Sequence, residues 1–169
     1  MIVELEEKVC DADRRSTEAL KQANYNEQYS RKHNIRVVNY PEKTGEDLQN
    51  DFIELVKKDL EVEVLPEEIV AIHRIPGNKD LPKPVIVKVR NTEVKSRIMR
   101  QKKKLNDEIK FHDDITSRNL GLMSRLYKSE KFHSVWYFND GVYAKRTKEG
   151  KRIRFDIFDD IEEKIRHYR

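Results

Sequence analysis

The order of its apolar runs constrains this chain more than any other feature. Three short β-branched runs, IRVVNY (Ile35–Tyr40), IVAIHRI (Ile69–Ile75) and VIVKVR (Val85–Arg90), are interleaved with stretches whose apolar residues recur at helical spacing. Pro41 stops the first run, and Pro76 to Pro84 is a loop with three prolines and one glycine. Glu46 to Leu60 predicts a helix, with Leu48, Phe52, Leu55 and Val56 in one stripe and Thr44 as a candidate N-cap. VLPEE (Val64–Glu68) predicts a further helix start, with Pro66 in its first turn. Thr92 to about Leu105 predicts the next helix, with Val94, Ile98 and Leu105 on one side and bases on the other. Ile109 to His112 completes the series as a fourth strand. The order β-α-β-β-α-β over roughly 80 residues is the split βαβ, ferredoxin-like arrangement, with both helices on one sheet face. The other face has no helix to cover it.

Side chains alternate across a strand, so parity says what lines that second face. Arg36, Val38 and Tyr40 share a side of the first run. Ile86, Lys88 and Arg90 share a side of the third, and Val70, Ile72 and Arg74 a side of the second. The opposite sides are almost purely apolar. The bases are therefore expected on the uncovered face, and His73-Arg74 is expected to belong to a cationic surface with no catalytic partner. The fold order is that of an RNA-recognition module, whose strands stack bases on aromatic rings. Those rings are missing from VIVKVR, and Tyr40 is the only candidate in the first strand. Binding is then expected to rest on phosphate neutralisation, with little sequence preference. The alternative reading is an ordinary polar outer face.

After Asp113-Asp114 the pattern changes. Ile115 to Lys131 predicts a helix with Ile115, Leu122, Met123 and Leu126 as its stripe, and Asp114 as its cap. SVWYFNDGVYAKR (Ser134–Arg146) predicts a hairpin closed at Asp140-Gly141. Arg152 to Ile157 predicts a third strand, and Phe158 to Arg169 a closing helix. Trp136 and Phe138 share one hairpin face; Val135 and Tyr137 share the other, with Val142 or Tyr143 across the turn. An aromatic strand followed by AKR and KRIR suits a surface that stacks unpaired bases and grips the backbone. In a unit this small, Trp136 is expected in the core.

Residues 1 to about 31 contain no proline or glycine and predict one helix. Ile2, Leu5, Val9 and Ala12 follow the 3-4 spacing of a coiled-coil seam, which fades through Ser16, Ala19, Ala23 and Asn26. The pattern is already under way at Met1, which suits the tail of a longer coiled coil; a lone solvated helix is the alternative. The fold class expected is thus α+β, in three parts: a coiled-coil-like helix (1–33), an RNA-recognition-like domain (34–112) and a small C-terminal α+β domain (113–169).

Charge is segregated along the chain. Glu46 to Glu68 holds nine acids and two bases, Val94 to Lys110 seven bases and two acids, and Arg118 to Arg154 ten bases and three acids. Such segregation makes an electropositive face, whose usual partner is a polyanion. Enzyme readings find little support. The glycines are scattered, the single Cys10 makes neither a disulfide nor a zinc site, and the five histidines never pair at i+3 or i+4. His112-Asp113-Asp114 is read as a strand end and helix cap instead of half of an acid-base site. No enzyme activity, cofactor or metal is expected. No apolar run reaches the roughly 20 residues of a membrane span, and one cysteine fits a reducing, intracellular compartment.

The segments YSRKHNIRVVNYPE, IHRIPG and KPVIVKVRN, with the coiled-coil end before them and the basic helix after, resemble the first open-reading-frame protein of LINE-type retrotransposons. FHSVWYFNDGVYAKR with RIRF is similar to the C-terminal domain of baculovirus few-polyhedra (FP) proteins. The resemblance covers nearly the whole chain. It implies a non-enzymatic protein that binds single-stranded RNA or DNA, trimerises through the coiled coil, coats its own transcript and acts as a nucleic-acid chaperone. It implies cytoplasmic ribonucleoprotein particles, with the nucleus as a second location. By position, Arg36, His73, Arg74, Lys88 and Arg90 are the implied sheet contacts, and Arg97, Arg100, Lys102, Lys103 and Lys104 flank them. Arg118, Arg125, Tyr143, Lys145, Arg146, Arg152 and Arg154 are the second domain's grip. The abbreviated N-terminus departs from the family and puts trimerisation of this chain in question. A protein-interaction or virion-assembly adaptor is the alternative, with the N-terminal helix and the acidic Glu46–Glu68 surface holding partners.

Overall fold

The computed structural model describes residues 1–106 and 108–168, and the chain is mixed α+β. It divides into two compact units, Arg31–Asp114 and, separately, Met1–Ser30 together with the chain from Ile115 onward. The long first helix, α1 (Ile2–Ser30), thus belongs with the C-terminal elements.

The Arg31–Asp114 unit runs β1 (Asn34–Val38), α2 (Leu48–Leu60), β2 (Ile69–Arg74), β3 (Val85–Val89), α3 (Thr92–Met99) and β4 (Lys110–Asp113). The strands form one sheet in the order β2-β3-β1-β4, and every pairing is antiparallel. Ile35 and Val37 of β1, Val85, Val87 and Val89 of β3, and Phe111 of β4 pack with Phe52, Val56 and Leu60 of α2 and with Val94 and Ile98 of α3. Burying each such side chain is worth about 1.5–3 kcal/mol. The opposite sheet face offers only Ile86 as a buried apolar residue on its central strands, so both helices take the valine-rich face.

Several local signals differ from the sequence expectation. β1 ends at Val38 because Asn39 takes a left-handed φ of 63°. Asp47, not Thr44, caps α2 by accepting from the Asn50 amide at 3.3 Å. Pro66 opens a single 3-10 turn, Pro66–Glu68, that runs straight into β2. The α-helical part of α3 stops at Met99, and Lys102–Lys104 form a separate 3-10 turn. β4 lies one residue later than expected.

The second unit adds α4 (Ser117–Lys128), β5 (Ser134–Phe138), β6 (Gly141–Lys145), β7 (Ile153–Phe155) and α5 (Ile161–Arg166). Its sheet is antiparallel in the order β5-β6-β7. The hairpin turn is Asn139-Asp140, both left-handed (φ 47° and 65°), and Gly141 already stands in β6 opposite Phe138. Thr116 caps α4 in place of Asp114. α5 is shorter than the expected Phe158–Arg169 helix, whose last residue, Arg169, lies outside the described residues. Leu122 and Leu126 of α4 pack on Val135, Val142, Ala144, Ile153 and Phe155.

α1 joins this unit through polar groups. Asn24 and Gln28, four residues apart on one helix face, are 5% and 1% exposed. The Thr116 hydroxyl donates to Asn24 Oδ1 at 2.7 Å, and Asn24 Nδ2 donates to Asn119 Oδ1 at 3.0 Å. Gln28 Oε1 accepts from the Thr116 amide and from Asn119 Nδ2, each at 2.9 Å. Buried amides and a hydroxyl are tolerated here because they satisfy one another. The seam residues Ile2, Leu5 and Val9 remain 74%, 59% and 68% exposed.

Candidate nucleic-acid interface

Register fixes which side chains share the uncovered face of the Arg31–Asp114 sheet. Arg36 pairs with Ile86 on one side and His112 on the other, and Ile86 pairs with His73. Directly opposed residues point the same way, so His73, Ile86, Arg36 and His112 form one row across four strands. Lys88 lies in the row of Asn34 and Ala71, and Lys110 in the row of Val38. None of the strand residues on this face is acidic: it carries Arg36, Lys88, Lys110 and two histidines. Asp113, the one carboxylate of β4, turns to Lys95 on the helix side, and Asp114, just past the strand, is 5% exposed and bound by Arg31 at 3.2 Å and Asn34 at 2.9 Å.

His112 registers the local field. Partial desolvation, then the charges of Lys102 and Arg36, and Lys110 after them, hold its imidazole below the usual histidine value, against the pull of Asp113. Lys102 in the 3-10 turn after α3 thus acts on the same spot as the strand cations.

Arg74 is elsewhere. It pairs with Val85, which puts it on the helix-covered face, so the parity expected from the sequence is corrected. Its guanidinium binds both Glu46 oxygens at 2.9 Å and donates to the carbonyls of Tyr40, Pro41 and Lys83. Arg74 holds two loops together. Tyr40, expected beside Arg36, is turned toward the helix side by Asn39; it packs on the core with the Arg74 guanidinium 5.6 Å from its ring centroid.

The bases after β3 are divided. Arg97 binds Glu68 at 3.1 Å and Glu93 at 3.2 Å, Arg90 lies 3.9 Å from Glu68, and Lys104 lies 3.5 Å from Glu61. Arg97, Arg100 and Lys104 line an open groove of about 710 Å³ opposite Glu61, Glu63 and Glu68. Acids face bases there, so the groove is no cationic channel. Lys102 and Lys103 are exposed.

In the second unit the outer sheet face carries Trp136, Tyr143 and Arg154 in one row. The Trp136 and Tyr143 rings stack at 6.0 Å with an interplanar angle of 21°, and the Arg152 guanidinium lies 5.3 Å from the Tyr143 centroid. Phe138, on the same face, is 56% exposed. Trp136 is therefore outside the core where the sequence placed it; Val142, not Tyr143, is the core partner across the turn. Lys145 ends the same face of β6 opposite Ser134. Arg118 and Arg125 sit on α4, which packs on the other side of the sheet, and Arg125 is held by the Ile157 carbonyl. Arg146 is exposed beyond β6, beside a smaller pocket shared with Lys151 and His167.

The His112-Asp113-Asp114 run makes no joint site. His112 lies on the open face, Asp113 turns to Lys95 of α3 at 2.8 Å, and Asp114 to Arg31 and Asn34. Among the described residues, no group of three metal-ligating side chains converges, and no helix is long and apolar enough to cross a membrane. Sequence reasoning missed Lys110 and His112 as members of the cationic row, and it put Trp136 in the core. Placing Phe111 in the core would have found the first pair by alternation.

Fold and surface together define the class: an α+β chain of two compact units, each with one sheet face free of helices and free of strand carboxylates. Neither protein-family models nor curated proteins gave a match to this sequence.

Proposed function

We propose that the protein binds single-stranded nucleic acid, RNA in the first instance, with low sequence specificity and without enzymatic activity. The observation that carries this reading is the acid-free row His73–Ile86–Arg36–His112 with Lys88 and Lys110 on either side. Side chains of this kind neutralise phosphates, and phosphate contacts carry no sequence information by themselves. We read the Arg31–Asp114 unit as a ferredoxin-like, RNA-recognition-type fold; the strand order β2-β3-β1-β4 and the two helices sharing one core support it. The role that goes with this is a ribonucleoprotein coat or chaperone of the LINE retrotransposon kind. Titration of a labelled single strand of about 20–30 nucleotides tests the reading. Affinity is expected to fall steeply as salt rises, and binding that ignores salt contradicts it.

The exposed Ile2, Leu5 and Val9 favour a second role alongside the first: self-association of α1, by trimerisation or through a partner helix. Molecular mass in solution, with and without the oligonucleotide, separates an assembly built on α1 from one built on the ligand.

A further inference from the structure

The outer face of the β5-β6-β7 sheet differs in kind from that of the first sheet. The first has cations and histidines but no Phe, Tyr or Trp among the strand residues on that face, Phe111 of β4 being turned into the core. The second concentrates Trp136 and Phe138 of β5 and Tyr143 of β6 on two short strands, with Lys145, Arg152 and Arg154 beside them. None of these rings joins the core cluster beneath, which is filled by the alternate residues Val135, Val142, Ala144 and Phe155. The Trp136–Tyr143 stack accounts for two rings, but among the described residues Phe138 has no such partner, and it stays 56% exposed. Gly141 lets this surface lie flat: a Cβ there would stand 3.1 Å from both the Tyr143 ring and Arg154 Nε.

We propose that this face is a base-stacking subsite for an unpaired polynucleotide strand. The inference rests on the single-strand reading above and deepens it. One nucleobase lies on Trp136 and the next on Phe138, two positions along the same strand and hence about 6.6 Å apart. The Tyr143 ring is already stacked on Trp136 and has the Arg152 guanidinium over it, so Tyr143 serves as the edge of the platform. Arg154 and Lys145 meet the phosphates, since no strand residue on this face is acidic. A duplex, with its bases stacked inside, offers such a surface nothing but backbone. The first sheet thus supplies phosphate contacts and the second supplies base contacts, sequence-tolerant because every base has a π-face.

Trp136 is the chain's single tryptophan, so its emission reports this site alone. The experiment titrates the full chain with a single-stranded oligouridylate, an abasic strand of equal length and a duplex, following both Trp136 emission and the anisotropy of the labelled strand. The expected result is quenching by the oligouridylate only, with the abasic strand and the duplex binding more weakly and without quenching. Trp136→Ala should lower oligouridylate affinity about 5- to 150-fold and leave abasic-strand affinity unchanged. Trp136→Phe, checked for native melting, should retain most of the affinity. Oligouridylate binding with unchanged emission, or equal affinities in Trp136→Ala and the parent protein, overturns the stacking subsite and leaves the single-strand reading intact. Failure of every strand to bind overturns both.

Discussion

Arg74 and Arg36 look alike in the sequence and serve opposite ends. Arg74 is tied by a carboxylate and three carbonyls, whereas Arg36 stands in the open row between Ile86 and His112. Arg74→Ala strips a partner from Glu46 and three acceptors at once; we expect a loss of about 3 kcal/mol in urea melts, with the affinity of the folded fraction unchanged. Arg36→Ala should do the reverse: stability within about 0.5 kcal/mol of the parent, and a salt slope of binding smaller by about 0.7. The Arg74–Glu46 pair also contributes to acid sensitivity. Hydrogen bonding from Arg74 holds Glu46 below the usual carboxylate value, and Glu68 is held low by the Leu65 amide and then Arg97. A carboxyl with a lowered folded value stabilises above its unfolded value, about 4.3. That stability disappears as pH falls through the folded values. Urea midpoints should therefore drop on acidification below about pH 4.5, and Arg74→Ala should show a shallower drop.

Among elements, β4 and α1 carry the sharpest tests. Partial burial, and then the cations around His112, disfavour its charged form, and a bound phosphate would favour it, so binding takes up a proton. Single-strand affinity should rise as pH falls from about 7 to about 6, and His112→Gln should flatten that rise relative to the parent. At α1, Gln28→Leu leaves the Thr116 amide and Asn119 amide without their shared acceptor, at a cost of about 1–3 kcal/mol. Hydrogen exchange in the last turns of α1 should speed up accordingly, while Leu5→Ser leaves it unaltered. These elements also show where the sequence was readable. The six-element order of the first unit, the valine face of its sheet and the helical α1 follow from periodicity, because each buries a regular apolar stripe. The docking of α1 did not, because it rests on Asn24 and Gln28, polar residues indistinguishable in sequence from solvent-facing ones. Tyr40 and Arg74 were misplaced since alternation was carried past Asn39, where a left-handed residue ends the strand, and since an arginine was taken for a surface base when it served two loops. Trp136 was assigned to the core on size; Val142 and Ala144 already filled the space.

For the molecule as a whole, net charge is a poor guide and its placement is the informative quantity. Lys and Arg number 35 against 31 Asp and Glu, a balance that by itself promises little attraction to a polyanion. The fold resolves this by pairing: the acids of the Glu46–Glu68 stretch take up Arg74, Arg90, Arg97 and Lys104 on the helix side, and the strands of each open face keep only neutral or basic residues. The measurement that bears most directly on this account compares the parent chain with the Arg36→Ala, Lys88→Ala, Lys110→Ala triple variant. Each is titrated with a single strand of about 25 nucleotides at about 50 and 200 mM salt. The parent should lose on the order of 50-fold in affinity between the two salts if about four phosphates are neutralised, and the triple variant should bind more weakly at low salt with a much flatter dependence. Equal affinities and equal salt slopes for the two proteins would contradict it.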